Sequence, residues 1–205
     1  MLKAIFYRQY ELSRKYIEIE GMPLDPWNIH SKEHQIWIKD YMWRIVEELM
    51  ESAEYFNSGR REQEALFYEE ISDALHFFVE PMVMLKYDVR EVEGCIMAIG
   101  QLEGSKGWYS VLEQKTFKPT EFHLDFANCL YLIVLNLGLA GNCLKNKKWK
   151  QTEVMTDINA FKGRYYNAFY HFLLLCRLLG MSLDDLYLVY MKKSVVNKFR
   201  QESKY

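Results

Sequence analysis

The chain is poor in the residues that turn a backbone. Its 205 residues include only 10 glycines and 4 prolines. Sandwiches and barrels turn often and lean on both, so their scarcity points to an all-α protein. Four cysteines, Cys95, Cys129, Cys143 and Cys176, form no CxxC pair. A four-cysteine zinc site is usually more closely spaced, and a disulfide scaffold is shorter and denser. They read as reduced thiols used as small core residues, which suits the cytoplasm. Neither sign of charge dominates, since 26 basic and 28 acidic side chains leave a net −2. That balance argues against a stable nucleic acid partner, which calls for a basic excess. The segment MLKAIFYRQYELSRKY lacks the apolar core of a signal peptide. The most apolar stretch, Phe126 to Ala140, has 15 residues and contains Asn128 and Asn136. A bilayer takes about 20 residues, so this stretch reads as a buried helix and no membrane is expected.

What is present fits one globular unit over residues 1–205. Half of the residues are hydrophobic, which excludes disorder as the main state. Residues 1–20 form an amphipathic pattern with Ile5, Tyr10 and Ile17, and the prolines of Gly21-Met-Pro-Leu-Asp-Pro-Trp27 mark a loop. From Ser31 to Phe56, Trp37, Tyr41, Ile45, Leu49 and Ala53 recur at four-residue steps and predict a long helix. Asn57-Ser-Gly59 breaks it, and residues 64–86 are helical again. Residues 88–118, punctuated by Gly94, Gly100, Gly104 and Gly107, read as an insertion or mobile segment. Helices follow over 120–144 and 156–179, and Ser182, with Asp185 three positions on, predicts an N-cap for a last helix. No run of alternating strands is visible. The fold class is an all-α multi-helix bundle.

The chemistry begins with carboxylates. Glu48, Glu51 and Glu54 recur every three residues and line one helical face. Like charges at that spacing repel by tenths of a kcal/mol per pair. On the next helix Glu70 and Asp73 also share a face, beside the apolar Ala74, Leu75, Phe77, Phe78 and Val79. Acidic pairs in apolar company need a partner or a metal, because desolvating an unpaired carboxylate is costly. If the two helices pack antiparallel, Glu48, Glu51, Glu70 and Asp73 converge on a hard cation. Mg²⁺ suits such oxygen ligands and completes its shell with water and phosphate oxygens. A single ExxE is also common on solvated faces, so spacing alone leaves both readings open. His76 reads as a hydrogen-bonded histidine of the helix packing rather than a fifth ligand. His30, His34 and His123 read as surface or loop residues.

The last helix carries the opposite charge. Tyr190, Lys193, Asn197 and Arg200 stand three, four and three residues apart in one polar stripe, while Val189, Val196 and Phe199 point elsewhere. A mobile ammonium and a bidentate guanidinium are what a polyphosphate needs opposite its metals, although a solvated basic face would look the same.

A terminus of the form Y-x-x-K-N-x-x-N-x-x-R-Q-x-x-G-Y, with ExxE and ExxD-x-LHF helices before it, resembles the dimeric all-α dUTPases. These are all-α NTP pyrophosphohydrolases, related to MazG-like proteins. The matching pieces are Glu48-Leu-Met-Glu51, Glu70-Ile-Ser-Asp73-Ala-Leu-His-Phe77 and Tyr190 through Tyr205. The leader Leu179-Gly-Met-Ser-Leu-Asp-Asp185 is similar to the corresponding part of dCTP/dUTP pyrophosphatases from large tailed phages. The resemblance implies Mg²⁺-dependent hydrolysis of dUTP to dUMP and pyrophosphate, in a homodimer. Glu48, Glu51, Glu70 and Asp73 would then hold the metals, with Glu48 also taking the proton from the attacking water. Lys193 and Arg200 would stabilise phosphate charge, Asn197 and Tyr190 would bind substrate, and Gln9 and Trp27 would belong to the base pocket. The chain departs from the pattern at Lys193-Ser194 and Lys204-Tyr205. Ser13 stands where uracil-reading relatives tend to have Asn four residues after Gln. A broader MazG-like pyrophosphohydrolase, or a helical interaction protein that kept the fold and lost the activity, are the other readings.

Residues 43–56 can also be laid over 131–144, and 73–78 over 168–173. In that alignment Glu48, Glu51, Glu70 and Asp73 become Asn136, Leu139, Tyr165 and Ala168, so an internally duplicated hairpin would keep ligands only in its first copy. Lys145-Asn-Lys-Lys-Trp-Lys150 is the only basic run and reads as a solvated loop or a phosphate-proximal flap.

Overall fold

Apolar residues at helical spacing become helices wherever the backbone permits it. The computed structural model describes residues 1–58, 64–102 and 122–203. Among them are seven helices and no strand: α1 (Leu2–Glu20), α2 (Lys32–Ser58), α3 (Glu64–Met84), α4 (Val89–Leu102), α5 (Phe122–Cys143), α6 (Ile158–Leu178) and α7 (Leu183–Ser203). The expected break at Gly59, residues 103–118, the His123 side chain and the Lys204-Tyr205 terminus lie outside the described residues. Two compact units emerge, the first Met1–Tyr87 with Asn146–Glu153 and Tyr187–Tyr205, the second Asp88–Lys145 with Val154–Leu186.

The first unit is built on the α2–α3 hairpin, whose five-residue connection makes the helices antiparallel neighbours. Ile38, Tyr41, Ile45 and Leu49 of α2 are buried, as are Ile71, Leu75, Phe78 and Met82 of α3. These are the four-residue steps of the sequence turned inward. Helix α1 packs on α3 and presents Ile5, Gln9, Leu12 and Ser13 to the interior. Gly21 ends it with φ 67°, a conformation open to glycine at no steric cost. The following loop is tied down where the Trp27 N–H donates to the Met84 carbonyl at 3.0 Å. Pro81 has no N–H to give, yet it sits within the last turn of α3 and the helix still reaches Met84. The basic run starts from an anchor, because Asn146 is buried, its N–H donating to Gln35 Oε1 at 2.8 Å and its amide to the His30 carbonyl at 2.7 Å.

In the second unit α6 packs against both α4 and α5. Val92 and Ile96 bury one stripe of α4, so residues 89–102 are helical where the glycines had masked the pattern. Helix α6 is capped by Asp157, which accepts from the Ala160 N–H at 2.9 Å. It closes through Gly180 (φ 75°), with Met181 N donating to the Cys176 carbonyl at 3.0 Å. Ser182 and Asp185 then form the expected reciprocal cap, Asp185 N to Ser182 Oγ at 3.1 Å and Ser182 N to Asp185 Oδ2 at 2.9 Å.

Helix α5 differs from the buried helix expected. The stripe Phe126, Cys129, Ile133, Leu137 and Ala140 is buried, with Asn136 beside it, while Tyr131, Val134 and Leu135 face outward. Asp125–Cys143 is long and apolar enough to cross a membrane by length and composition, though its buried stripe serves the α5–α6 packing. The hairpin offers no acid at the positions laid over the ligands, since Asn136, Tyr165 and Ala168 are buried and Leu139 half-buried. All four cysteines are free, Cys129 and Cys176 buried and the other two half-buried.

Candidate active site

Glu48 and Glu51 sit one turn apart on α2, and Glu70 faces them from α3. One carboxylate oxygen from each lies within 4.8 Å of the other two. This is an all-oxygen group, the donor set of Mg²⁺ or Mn²⁺ rather than of a soft metal. Electrostatics fit a cation as well. Desolvation, the hydrogen bond its protonated form donates to Glu70 and the charges of Asp73, Glu70 and Glu51 push the Glu48 carboxyl up to about 8. Burial raises Glu70 too. Glu48 and Glu70 share a proton because two anions so close repel, and a divalent ion can take that proton's place. The fit is therefore good.

Asp73, one turn beyond Glu70, is half-buried and turned to a different partner. Lys193 Nζ of α7 lies 2.6 Å from its carboxylate and 2.5 Å from that of Glu69. Burial disfavours the Lys193 charge, but these two acids outweigh it and hold the ammonium above its ordinary value. Asp73 itself is raised by burial against the opposing pull of Lys193. Lysine thus occupies the place between the acidic helices and α7.

Asp73 and Lys193 also line a cavity of about 190 Å³, together with Asn197 and Arg200 of the C-terminal stripe. At ~30 Å³ per water this holds roughly six waters. Tyr41 and Phe77 supply aromatic wall, their rings 6.0 Å apart, and the Arg44 guanidinium lies over both at 5.5 and 5.6 Å. Gln9, His76 and Glu80 add a connected polar group to the lining. Gln9 Oε1 accepts from the Tyr190 hydroxyl at 2.7 Å and meets His76 Nδ1 at 2.8 Å, while its amide nitrogen donates to Glu80 Oε2. Ser13 Oγ is 2.6 Å from the same Glu80 oxygen. Tyr190 stacks on the His76 ring at 4.1 Å. It braces the lining from behind rather than bounding the cavity.

Of the expected site residues, Glu48, Glu51 and Glu70 come together as one group. Asp73, Lys193, Asn197, Arg200 and Gln9 share the cavity. Trp27 does not line it. Its ring is buried, stacks on His34 at 6.0 Å and touches the wall residue Tyr41 at 6.1 Å, with its N–H given to the Pro23 carbonyl at 3.2 Å. His76 lies outside the carboxylate group and is a packed, hydrogen-bonded histidine, its pKa lowered to about 3 mainly by burial. His34 is a loop-anchoring residue that accepts from the Asn28 N–H at 2.9 Å.

Sequence reading had passed over Arg44, Tyr41 and Glu80 as site residues. Arg44 and Tyr41 lie three residues apart on one face of α2, and Phe77 faces them from α3. For Glu80 the available signal was an acid seven residues after Asp73, hence on the same face, within the apolar run Phe77-Phe-Val-Glu80-Pro-Met.

No curated protein and no solved structure matches the chain. A family described as dUTPase matches residues 2–205, across both units and all of the residues just named. Enzymes of this family hydrolyse dUTP and generally depend on a divalent metal. The chain belongs to the all-α dUTPase family and is a dUTP diphosphatase-like hydrolase.

Proposed function

We propose that this protein hydrolyses dUTP to dUMP and pyrophosphate in the presence of Mg²⁺. The observation that carries the reading is the three-carboxylate group of Glu48, Glu51 and Glu70 joined through Asp73 to a cavity that also holds Lys193, Asn197 and Arg200. Glu48, Glu51, Glu70 and Asp73 are the residues to hold Mg²⁺. When bound, the ion neutralises phosphate charge and makes a water molecule more acidic. Glu48 is the base that accepts the proton of the attacking water. Lys193 exchanges Asp73 and Glu69 for phosphate oxygens and offsets the charge that grows on the leaving pyrophosphate. Arg200, exposed at the cavity edge, offers a bidentate fork to the same oxygens, and Asn197 positions sugar or phosphate. Tyr41 and Phe77 supply ring faces against which the base lies. Tyr190 holds Gln9 and His76 in place.

The test is pyrophosphate release from each dNTP with Mg²⁺, comparing the wild type with Glu48→Ala and Asp73→Ala. Release from dUTP that both substitutions abolish is the expected result. No release from any nucleotide, or turnover that survives loss of Glu48, would overturn the reading and favour an interaction protein on this fold.

A further inference from the structure

Two carboxylates hold Lys193, and they face different spaces. Glu69 and Asp73 lie four residues apart on α3, so both point toward α7, and the Lys193 ammonium sits between them at 2.5 and 2.6 Å. Asp73 lines the site cavity. Glu69 lines instead a second hollow of about 240 Å³ between α3 and α7, walled by Ala65, Tyr68, Val189 and Val196. Lys193 borders both spaces. Glu69 precedes Glu70 by one residue, about 100° round the helix, and so stands outside the group that Glu70 forms with Glu48 and Glu51.

Exposure separates the three partners. The Lys193 side chain is 10 % exposed, that of Asp73 18 % and that of Glu69 42 %. A nearly buried ammonium stripped of its anions is strongly disfavoured, because its lost hydration is not replaced. A half-exposed carboxylate that loses its ion pair is simply hydrated. The proposed chemistry draws Asp73 toward the cation, and Lys193 is then left with Glu69 until phosphate oxygens reach it.

We infer that Glu69 is a positioning residue for Lys193: it retains the ammonium at the cavity wall once Asp73 turns to the cation, and gives it up to the phosphates. The inference rests on the roles proposed above for Asp73 and Lys193, and adds a residue that touches neither metal nor substrate. Every charge ends with a partner in this exchange. Asp73 passes to the cation, Lys193 to phosphate oxygen, and Glu69 to water in the outer hollow. Without the Glu69 charge, Asp73 is the ion-pair partner that remains, and Lys193 competes with the cation for it.

The experiment is calorimetric titration of Mg²⁺ at pH 8, without nucleotide, into the wild type, Glu69→Gln, Lys193→Met and the double variant. Glu69→Gln keeps the side-chain shape at a half-exposed position and removes the charge. It should weaken Mg²⁺ affinity about tenfold, between the worth of an exposed ion pair and that of a hydrogen bond to a buried charge. Lys193→Met should bind Mg²⁺ more tightly than the wild type, since Asp73 loses its competitor. In that background the loss from Glu69→Gln should shrink to about two- to threefold, the screened attraction of one carboxylate across space. An equal loss in both backgrounds would reduce Glu69 to a distant charge and overturn the positioning role. Unchanged affinity in Glu69→Gln, or weaker binding in Lys193→Met, would overturn it as well. A protein that shows the expected shifts yet releases no pyrophosphate from dUTP would overturn only the hydrolase reading. One that hydrolyses dUTP but shows no Glu69 effect would overturn only this inference.

Discussion

Metal binding to the carboxylate group should release a proton, and the structure says how many and over what range. Without a cation, Glu48 and Glu70 share one proton, and the Glu48 carboxyl reaches about 8, chiefly through burial. At pH 7 that proton is present, and Mg²⁺ must displace it. Each pH unit below 8 should therefore weaken apparent Mg²⁺ affinity by up to about tenfold. Glu48 is only half-buried, so solvent screening trims the effect to severalfold per unit. Calorimetric titration of Mg²⁺ at pH 7, in two buffers of different ionisation enthalpy, should report about one proton released per site filled. By pH 9 the release should vanish. Glu48→Gln has no proton to lose there, and its Mg²⁺ affinity should be weaker and nearly independent of pH. Heats independent of buffer at pH 7, or an Mg²⁺ affinity flat from pH 6 to pH 8, would refute the shared proton and the ligand role of Glu48 together.

Glu80 should also leave a mark on stability. Its carboxyl binds a proton more tightly folded than unfolded, with values of about 7 against an ordinary 4.5. Its contribution is then greatest below pH 4.5 and is lost as the pH rises to 7, a change of about 3 kcal/mol for this fully buried group. In EDTA, the Tm advantage of Glu80→Gln over the wild type should widen by on the order of ten degrees from pH 4.5 to pH 8; a difference that does not vary with pH would refute it. Lys193→Met should lower kcat about 10²–10³-fold, the usual effect of losing one donor to developing charge, and retention of full kcat would place Lys193 outside the reaction. Homodimer formation, which the family resemblance implies, has a candidate surface in Leu188, Val195 and Phe199 of α7, which are 53 %, 61 % and 68 % exposed and share one side of the helix. Light scattering on Phe199→Glu should show half the wild-type mass, and an unchanged dimer would move the interface elsewhere.

Much of this arrangement was legible because helical spacing acts locally. The four-residue steps from Trp37 to Leu49 and the three-residue steps from Glu48 to Glu54 follow from the 3.6-residue turn alone. The Glu48, Glu51 and Glu70 group then needed only one further step, the antiparallel hairpin. What stayed hidden depends on partners far apart in the chain. Asp73 can serve a cation or Lys193, 120 residues later, and only the fold shows the ammonium at 2.6 Å. Gln9, Ser13, Glu80 and Tyr190 come from three helices and meet only once the first unit has packed. Helix α5 misled for another reason. It is apolar on nearly every side, so its pattern carries no stripe to separate the buried face from the outward one.

Helix α3 ties the two ends of the site together. Glu70, Asp73, Phe77 and Glu80 fall at three- and four-residue steps on one face, and at 1.5 Å per residue Glu70 and Glu80 are about 15 Å apart along the axis. In the proposed reading the phosphates bind at the Glu70 end of that face and the base lies toward the other end, against Phe77. Each end raises a carboxyl by burial, but one stands in the carboxylate group of Glu48, Glu51 and Glu70 and the other is sealed by Gln9 and Ser13. Sites separated by more than about 7–10 Å with no shared partner perturb free energy independently. Glu51→Gln and Glu80→Gln should therefore multiply in their effects on dUTP kcat/KM, the double variant matching the product within about twofold. The Mg²⁺ dependence should move with Glu51 and not with Glu80. A double variant no worse than either single one would mean that base and phosphates are not bound along one rigid face.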